Sequence, residues 1–125
     1  MRPPLPIDWQ QTFSHGLAQI TTPAFVYDES ILQRLLAQVQ TLREAGRCRV
    51  LFAVKSFSFA GALNVMAPSL DGFAVSSLYE ARLARTVVSP GGSIHITTPG
   101  LRDNEVEEIA SLCDYVSFNS LSQWD

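Results

Sequence analysis

The sequence predicts an α/β fold built on a parallel sheet of repeated β-α units, and three observations carry that prediction. Strand candidates at Val50–Val54, Gly72–Val75, Ser93–Ile96 and Tyr115–Phe118 start about 22 residues apart, the length of one strand, one helix and two short loops. Helical patterns over Ala60–Ala67, Ser77–Val87 and Asp103–Leu112 fill the intervals. The strand candidates read as near-continuous apolar runs, which marks strands covered on both faces. Such units give a parallel sheet, either open or closed into a barrel.

Taken in order, residues 1–22 carry three prolines near the start and no sustained periodicity, so an irregular N-terminal arm is expected there. Residues 23–45 form a second segment, a strand plus a helix leading into the sheet. Ala24-Phe25-Val26-Tyr27 is rich in aromatic and β-branched residues and reads as a short strand. Asp28 can cap the long helix that follows, with Glu29 in its first turn. Ile31, Leu32, Leu35, Leu36, Val39 and Leu42 recur at three- and four-residue intervals, which predicts one buried face, and Ala45-Gly46 supplies the stop. Residues 46–125 hold the β-α units. Their breaks, Ser69-Leu70-Asp71-Gly72, Ser89-Pro90-Gly91-Gly92 and Thr98-Pro99-Gly100, contain the expected turn residues. Four units are half of an eight-stranded barrel, which needs about 250 residues. Asn119-Ser120 opens what reads as another helix just before Trp124-Asp125, with no capping signal or polar tail. The expected organisation is the N-terminal part of a larger protein; a small open α/β domain complete in itself is the weaker reading.

Composition narrows the function. The chain has 125 residues, 46% apolar and 17% charged, with 9 basic and 12 acidic side chains and a net charge of −3. No basic stripe is available for a phosphate backbone, which argues against nucleic acid as a partner. The uncharged stretch Ser56 to Leu70 is interrupted by Ser, Asn and Pro and is too short to span a bilayer. Cys48 and Cys113 form neither a disulfide framework nor a metal spacing, so a reduced, cytoplasmic setting without a structural metal is expected.

Eight of the nine basic residues are arginine, and Lys55 is the only lysine. Arginine keeps its proton at ordinary pH, whereas an amine can become neutral and nucleophilic. By strand alternation Leu51, Ala53 and Lys55 share a face, with Lys55 at the carboxyl end, where parallel β-α folds place their active sites. Partial desolvation there would favour the neutral amine that attacks a carbonyl to form an imine. The plain alternative is a lysine that reaches water at a strand end. Other candidates read as structural. Ser77-Leu78-Tyr79-Glu80 matches a capping box. Gly91-Gly92 precedes a strand instead of opening a helix, so it is a turn and not a phosphate loop. His95 could face a barrel mouth, although a hydrogen-bonded core histidine accounts for it. His15 lies in the irregular arm. Glu105, Glu107, Glu108 and Asp114 read as a solvated acidic face, with no zinc spacing or Ser/His/Asp set nearby.

Thr22-Pro23-Ala24-Phe25-Val26-Tyr27-Asp28, a helix, and Phe52-Ala53-Val54-Lys55-Ser56 together resemble the opening of the alanine-racemase-like, fold-type III pyridoxal-phosphate decarboxylases. Asp71-Gly72-Phe73-Ala74-Val75-Ser76-Ser77-Leu78-Tyr79-Glu80-Ala81-Arg82 and Phe118-Asn119-Ser120-Leu121-Ser122-Gln123 are similar to the carboxynorspermidine (carboxyspermidine) decarboxylase family within that group. Ala74 stands where ornithine- and diaminopimelate-type relatives carry an aspartate. The resemblance implies the first half of a (β/α)8 TIM-type barrel, with the C-terminal β-domain absent. It implies pyridoxal 5'-phosphate as cofactor, bound through a Schiff base on the catalytic Lys55 with Ala53 also cofactor-binding, and a small-molecule polyamine substrate. It further implies a homodimer, and no membrane or nucleic-acid partner. The phosphate loop and the acidic partner of the ring nitrogen would lie beyond residue 125. Ala24–Tyr27 would join the missing β-domain, so the 125-residue segment alone is expected to be unstable and inactive. Alternatives are another fold-type III enzyme (an ornithine- or diaminopimelate-type decarboxylase or a racemase), a non-catalytic pyridoxal-phosphate homeostasis protein, and a plain α/β interaction domain.

Overall fold

A computed structural model describes residues 20–124. The expected arm over residues 1–22, with His15, falls almost wholly outside the described residues.

Helix α1, Glu29–Gly46, begins as its sequence requires. Asp28 Oδ1 accepts hydrogen bonds from the Ser30 and Ile31 amides and from Ser30 Oγ, satisfying orphan donors of the first turn. The helix ends through Arg47, whose left-handed φ of 49° turns the chain away. Of the apolar stripe, Leu36 is buried and Leu32 and Val39 pack on the core, while Leu35 and Leu42 remain exposed. The buried face is thus narrower than the stripe.

The sheet follows. Strand β1 is Leu51–Ala53, β2 Gly72–Val75, β3 Ser93–Thr97 and β4 Tyr115–Ser117, all parallel in the order β1-β2-β3-β4. Helices α2 (Ala60–Met66), α3 (Leu78–Val87) and α4 (Asp103–Leu112) make the crossovers. The spacing pattern therefore located every β-α unit, with end shifts of one or two residues. Two ends differ for physical reasons. Val54–Ser56 leaves the strand as a 3₁₀ turn, so β1 is shorter than Val50–Val54. The helix expected after Asn119-Ser120 is a single 3₁₀ turn, Leu121–Gln123.

Register assigns the faces. Phe52, Phe73 and Ile94 align across the sheet, as do Val75, Ile96 and Val116. With Val54 these side chains meet the helices, and Val54, Phe73 and Ile94 are fully buried against Leu63, Ala62, Ala81 and Ala84. Alanines on α2 and α3 let those helices approach the sheet closely. The opposite face carries Leu51, Ala53, Ala74, His95 and Tyr115, all half-buried or exposed. Of the two faces expected to be covered, the helices cover one among the described residues, and the other is open.

The strand expected at Ala24–Tyr27 does not form. The segment is irregular and Phe25 is fully exposed. Strand propensity needs a partner for its amide groups, and no strand among the described residues lies alongside it.

Candidate functional site

Lys55 occupies the 3₁₀ turn that leaves the carboxyl end of β1. The turn is closed by a bond from the Phe57 amide to the Val54 carbonyl (3.0 Å) and by Ser56 Oγ donating to the Ala53 carbonyl (2.7 Å). Buried Val54 anchors it. Strand alternation does not extend to Lys55, because the strand ends at Ala53. The lysine is exposed, so the desolvation expected of it is not supplied by the described residues. Among those residues it has no ion-pair partner.

The open face beside it forms a layer. Ala53 pairs with Ala74, Ala74 with His95, and His95 with Tyr115. Methyl side chains therefore occupy the two strands nearest Lys55, and rings occupy the two farther away. His95 Nε2 lies 2.9 Å from Ser93 Oγ, which also accepts from Arg49 Nη2 at 2.9 Å. The His95 and Tyr115 rings stack with centroids 4.3 Å apart and an interplanar angle of 20°. Burial first, and then the Arg49 charge, hold the imidazole below its usual range, with Asp114 opposing. Both effects disfavour the charged imidazolium. His95 is thus hydrogen-bonded as expected, but it stands on the open face and not in the core. Extending the strand alternation to β4 would have singled out Tyr115 with it.

Sequence reasoning also missed the ring cluster flanking the lysine turn. Tyr27, Phe57 and Phe59 pack with centroids 5.5–6.0 Å apart, each partly exposed. Tyr27 and Phe57 also border an apolar groove of about 410 Å³ that is lined further by Phe52 and residues of α1. The spacing of Phe57 and Phe59, two and four residues past Lys55, was the available signal.

The other sequence candidates resolve as structure. Ser77 Oγ accepts from the Glu80 amide at 3.2 Å, and the Glu80 carboxylate accepts from the Ser76 amide at 2.8 Å, a capping box reaching one residue further back than the standard form. Ser89–Gly92 closes as a turn at the amino end of β3, opposite the Lys55 end of the sheet. The acidic face meets solvent as expected, and three of its members are also engaged: Glu108 takes a bidentate pair from Arg82 at 2.6 Å, Glu105 meets Arg102 at 3.2 Å, and Asp114 accepts from the Ile94 amide at 2.8 Å. The Arg82 pair holds the Glu108 carboxyl below its usual range. In the Asn119 segment, the Asn119 side chain donates to the Thr98 carbonyl and its amide donates to Gln123 Oε1, tying the carboxyl ends of β3 and β4 together.

Pyridoxal phosphate would require an amine free of ion pairs, room for a flat ring, an anion cradle and a partner for the ring nitrogen. The described residues fit the first two. Lys55 has no salt-bridge partner among them, and the paired Ala53 and Ala74 put only methyl groups on the open face of β1 and β2. Among the described residues no His, Cys, Asp and Glu group could hold a metal ion, and no helix is long and apolar enough to cross a membrane.

No family model matches the chain. Curated relatives do. It is 34% identical over 106 residues to a carboxynorspermidine/carboxyspermidine decarboxylase of Campylobacter jejuni, and 35% identical over 105 residues to one of Herminiimonas arsenicoxydans. It is 33% identical over 108 residues to a carboxyaminopropylagmatine decarboxylase of Synechocystis. These matches cover 84–86% of this chain and 27–28% of the relatives. The crystal structure of C. jejuni carboxynorspermidine decarboxylase complexed with norspermidine superposes with a TM-score of 0.78 at 34% identity, over 84% of this chain and 28% of that one. The resemblance read from the Lys55, Ser77 and Asn119 segments is therefore real: this chain is homologous to the carboxynorspermidine/carboxyspermidine decarboxylases along most of its own length, and it spans a little over a quarter of theirs.

Proposed function

We propose that this chain is part of a pyridoxal-phosphate-dependent decarboxylase of polyamine biosynthesis, which converts carboxynorspermidine or carboxyspermidine to norspermidine or spermidine. The observation that carries the reading is the position of the only lysine. It stands at the carboxyl end of β1, two residues past Ala53, in a chain similar to decarboxylases of carboxylated polyamines. The four β-α units would form half of a (β/α)8 barrel, whose later units cover the open face. The whole protein would act as a cytoplasmic homodimer.

In this reading Lys55 holds the cofactor through a Schiff base, and Ala53 and Ala74 make room for its ring. When bound, pyridoxal phosphate supplies an electron sink for the pair released as carbon dioxide leaves. This chain's residues contribute by binding and by exclusion. Covering the open face would desolvate Lys55 and raise the share of neutral amine able to react. A substrate carboxylate is best lost where no close cation stabilises it. On the open face Arg49 is engaged at the amino end by Ser93 and the Asp71 carbonyl, and burial disfavours a charged His95.

The test is carbon dioxide release by the full-length gene product from carboxynorspermidine, carboxyspermidine, carboxyaminopropylagmatine, ornithine and diaminopimelate. Turnover of one of the first two, lost on the order of 10³-fold or more in Lys55→Ala, is expected for a covalently acting residue. Turnover of ornithine or diaminopimelate alone would replace the substrate class. No turnover with intact cofactor binding would favour a homeostasis protein.

A further inference from the structure

We infer that His95 is a positioning residue of the Lys55 site, acting through Tyr115: it fixes the tyrosine ring so that the two rings form a rigid wall for the cofactor across the open face from Ala53 and Ala74. This rests on the reading that Lys55 carries pyridoxal phosphate. Three contacts carry the inference. Ser93 Oγ holds His95 Nε2 at 2.9 Å, which fixes the imidazole plane. Arg49 Nη2 donates to the same hydroxyl at 2.9 Å, so a second cation on His95 would crowd one acceptor with two positive donors. Tyr115 then lies flat on the imidazole, 4.3 Å away, although more than half of it is exposed. An exposed tyrosine on a three-residue strand has few other restraints, and the stack sets its orientation. Register puts this pair in the same layer as Ala53 and Ala74, so the layer runs from small side chains beside Lys55 to a fixed wall on β3 and β4. A flat cofactor joined to Lys55 and lying over the alanines would meet that wall on its far side. The Tyr115 phenol is not needed for this; the ring and its plane are.

The experiment measures the dissociation constant for pyridoxal phosphate and the absorbance band of the bound cofactor in the full-length gene product. Tyr115→Leu removes the stacked ring, Tyr115→Phe keeps the ring and removes the phenol, His95→Gln keeps a polar end for Ser93 but no ring, and His95→Phe keeps a ring but no anchor. Tyr115→Leu and His95→Gln should raise the dissociation constant roughly three- to tenfold, the loss expected of an aromatic pair, and move the band. Tyr115→Phe should stay within about twofold of wild type, and His95→Phe should recover part of the loss. Unchanged affinity and band in folded Tyr115→Leu would overturn the inference, as would an equal loss in Tyr115→Phe. Should His95→Gln fail to fold, the two tyrosine variants still decide. Absence of cofactor on Lys55 in the wild type would instead sink the proposed function, a separate failure.

Discussion

Gly72 is where one residue most constrains the sheet. Its φ of 143° is closed to ordinary side chains, and an added Cβ would meet the Ser93 carbonyl oxygen and lie 2.6 Å from the Ser93 nitrogen. Gly72→Ala should destabilise the protein on the order of 3 kcal/mol by forcing β2 away from β3, measurable by denaturant unfolding. Ser77→Ala removes the cap of α3 and should cost about 1 kcal/mol, without altering cofactor binding. His95 gives a pH signature. Its folded-state pKa is depressed, so the unfolded chain binds the extra proton more readily. Its contribution is present above the unfolded value, about 6.5, and is lost as pH falls through the lower folded value. Thermal scans between pH 7 and 5 should therefore show a steeper acid loss for the wild type than for His95→Gln. At this scale the Ser77–Glu80 cap was legible because its spacing alone singles it out, and composition marks Lys55 as the one lysine of the sequence. Tyr115 and Ser93 were not legible, since their roles arise only when β3 and β4 come into register.

The β-α elements share a brace at the amino ends of the strands. Arg43 on α1 donates to the Ser69 carbonyl (3.0 Å) and to Asp71 (2.8 Å), and Asp71 accepts from the Val50 amide at 2.8 Å. Arg85 on α3 repeats this with the Leu112 carbonyl (3.0 Å from Nε) and Asp114, and Asp114 accepts from the Ile94 amide at 2.8 Å. Each aspartate sits just before a strand and fixes the start of the preceding one. Asp71→Ala should cost about 2 kcal/mol, as loss of charge-assisted bonds in a half-buried setting does. Asp114→Ala should cost less, because its carboxylate is more exposed. Asp71 read from sequence as a turn residue and Asp114 as part of an acidic face, since the pairing amide of each lies about 20 residues upstream. Strand and helix bounds were legible because apolar spacing and turn residues agree at every junction. The strand at Ala24–Tyr27 failed because strand propensity is local and pairing is not.

At the scale of the molecule, the structure is a sheet with one finished face. Helices bury Phe73, Ile94 and Val75, while Ala53, Ala74, His95 and Tyr115 wait on the other side. Exposed Phe25, Leu121 and Trp124 add apolar surface at both ends of the described residues. The 125-residue chain by itself should bind a hydrophobic dye, unfold at low denaturant and release no carbon dioxide from carboxynorspermidine. The relatives it matches are more than three times as long, and the proposed activity belongs to that larger context. Central to the account is a covalent bond between one amine and a cofactor aldehyde. Borohydride reduction of the full-length gene product with pyridoxal phosphate, followed by peptide mapping, tests it most directly. The account predicts a pyridoxyl label on Lys55 that vanishes in Lys55→Arg; a label on a different lysine, or none, would contradict it.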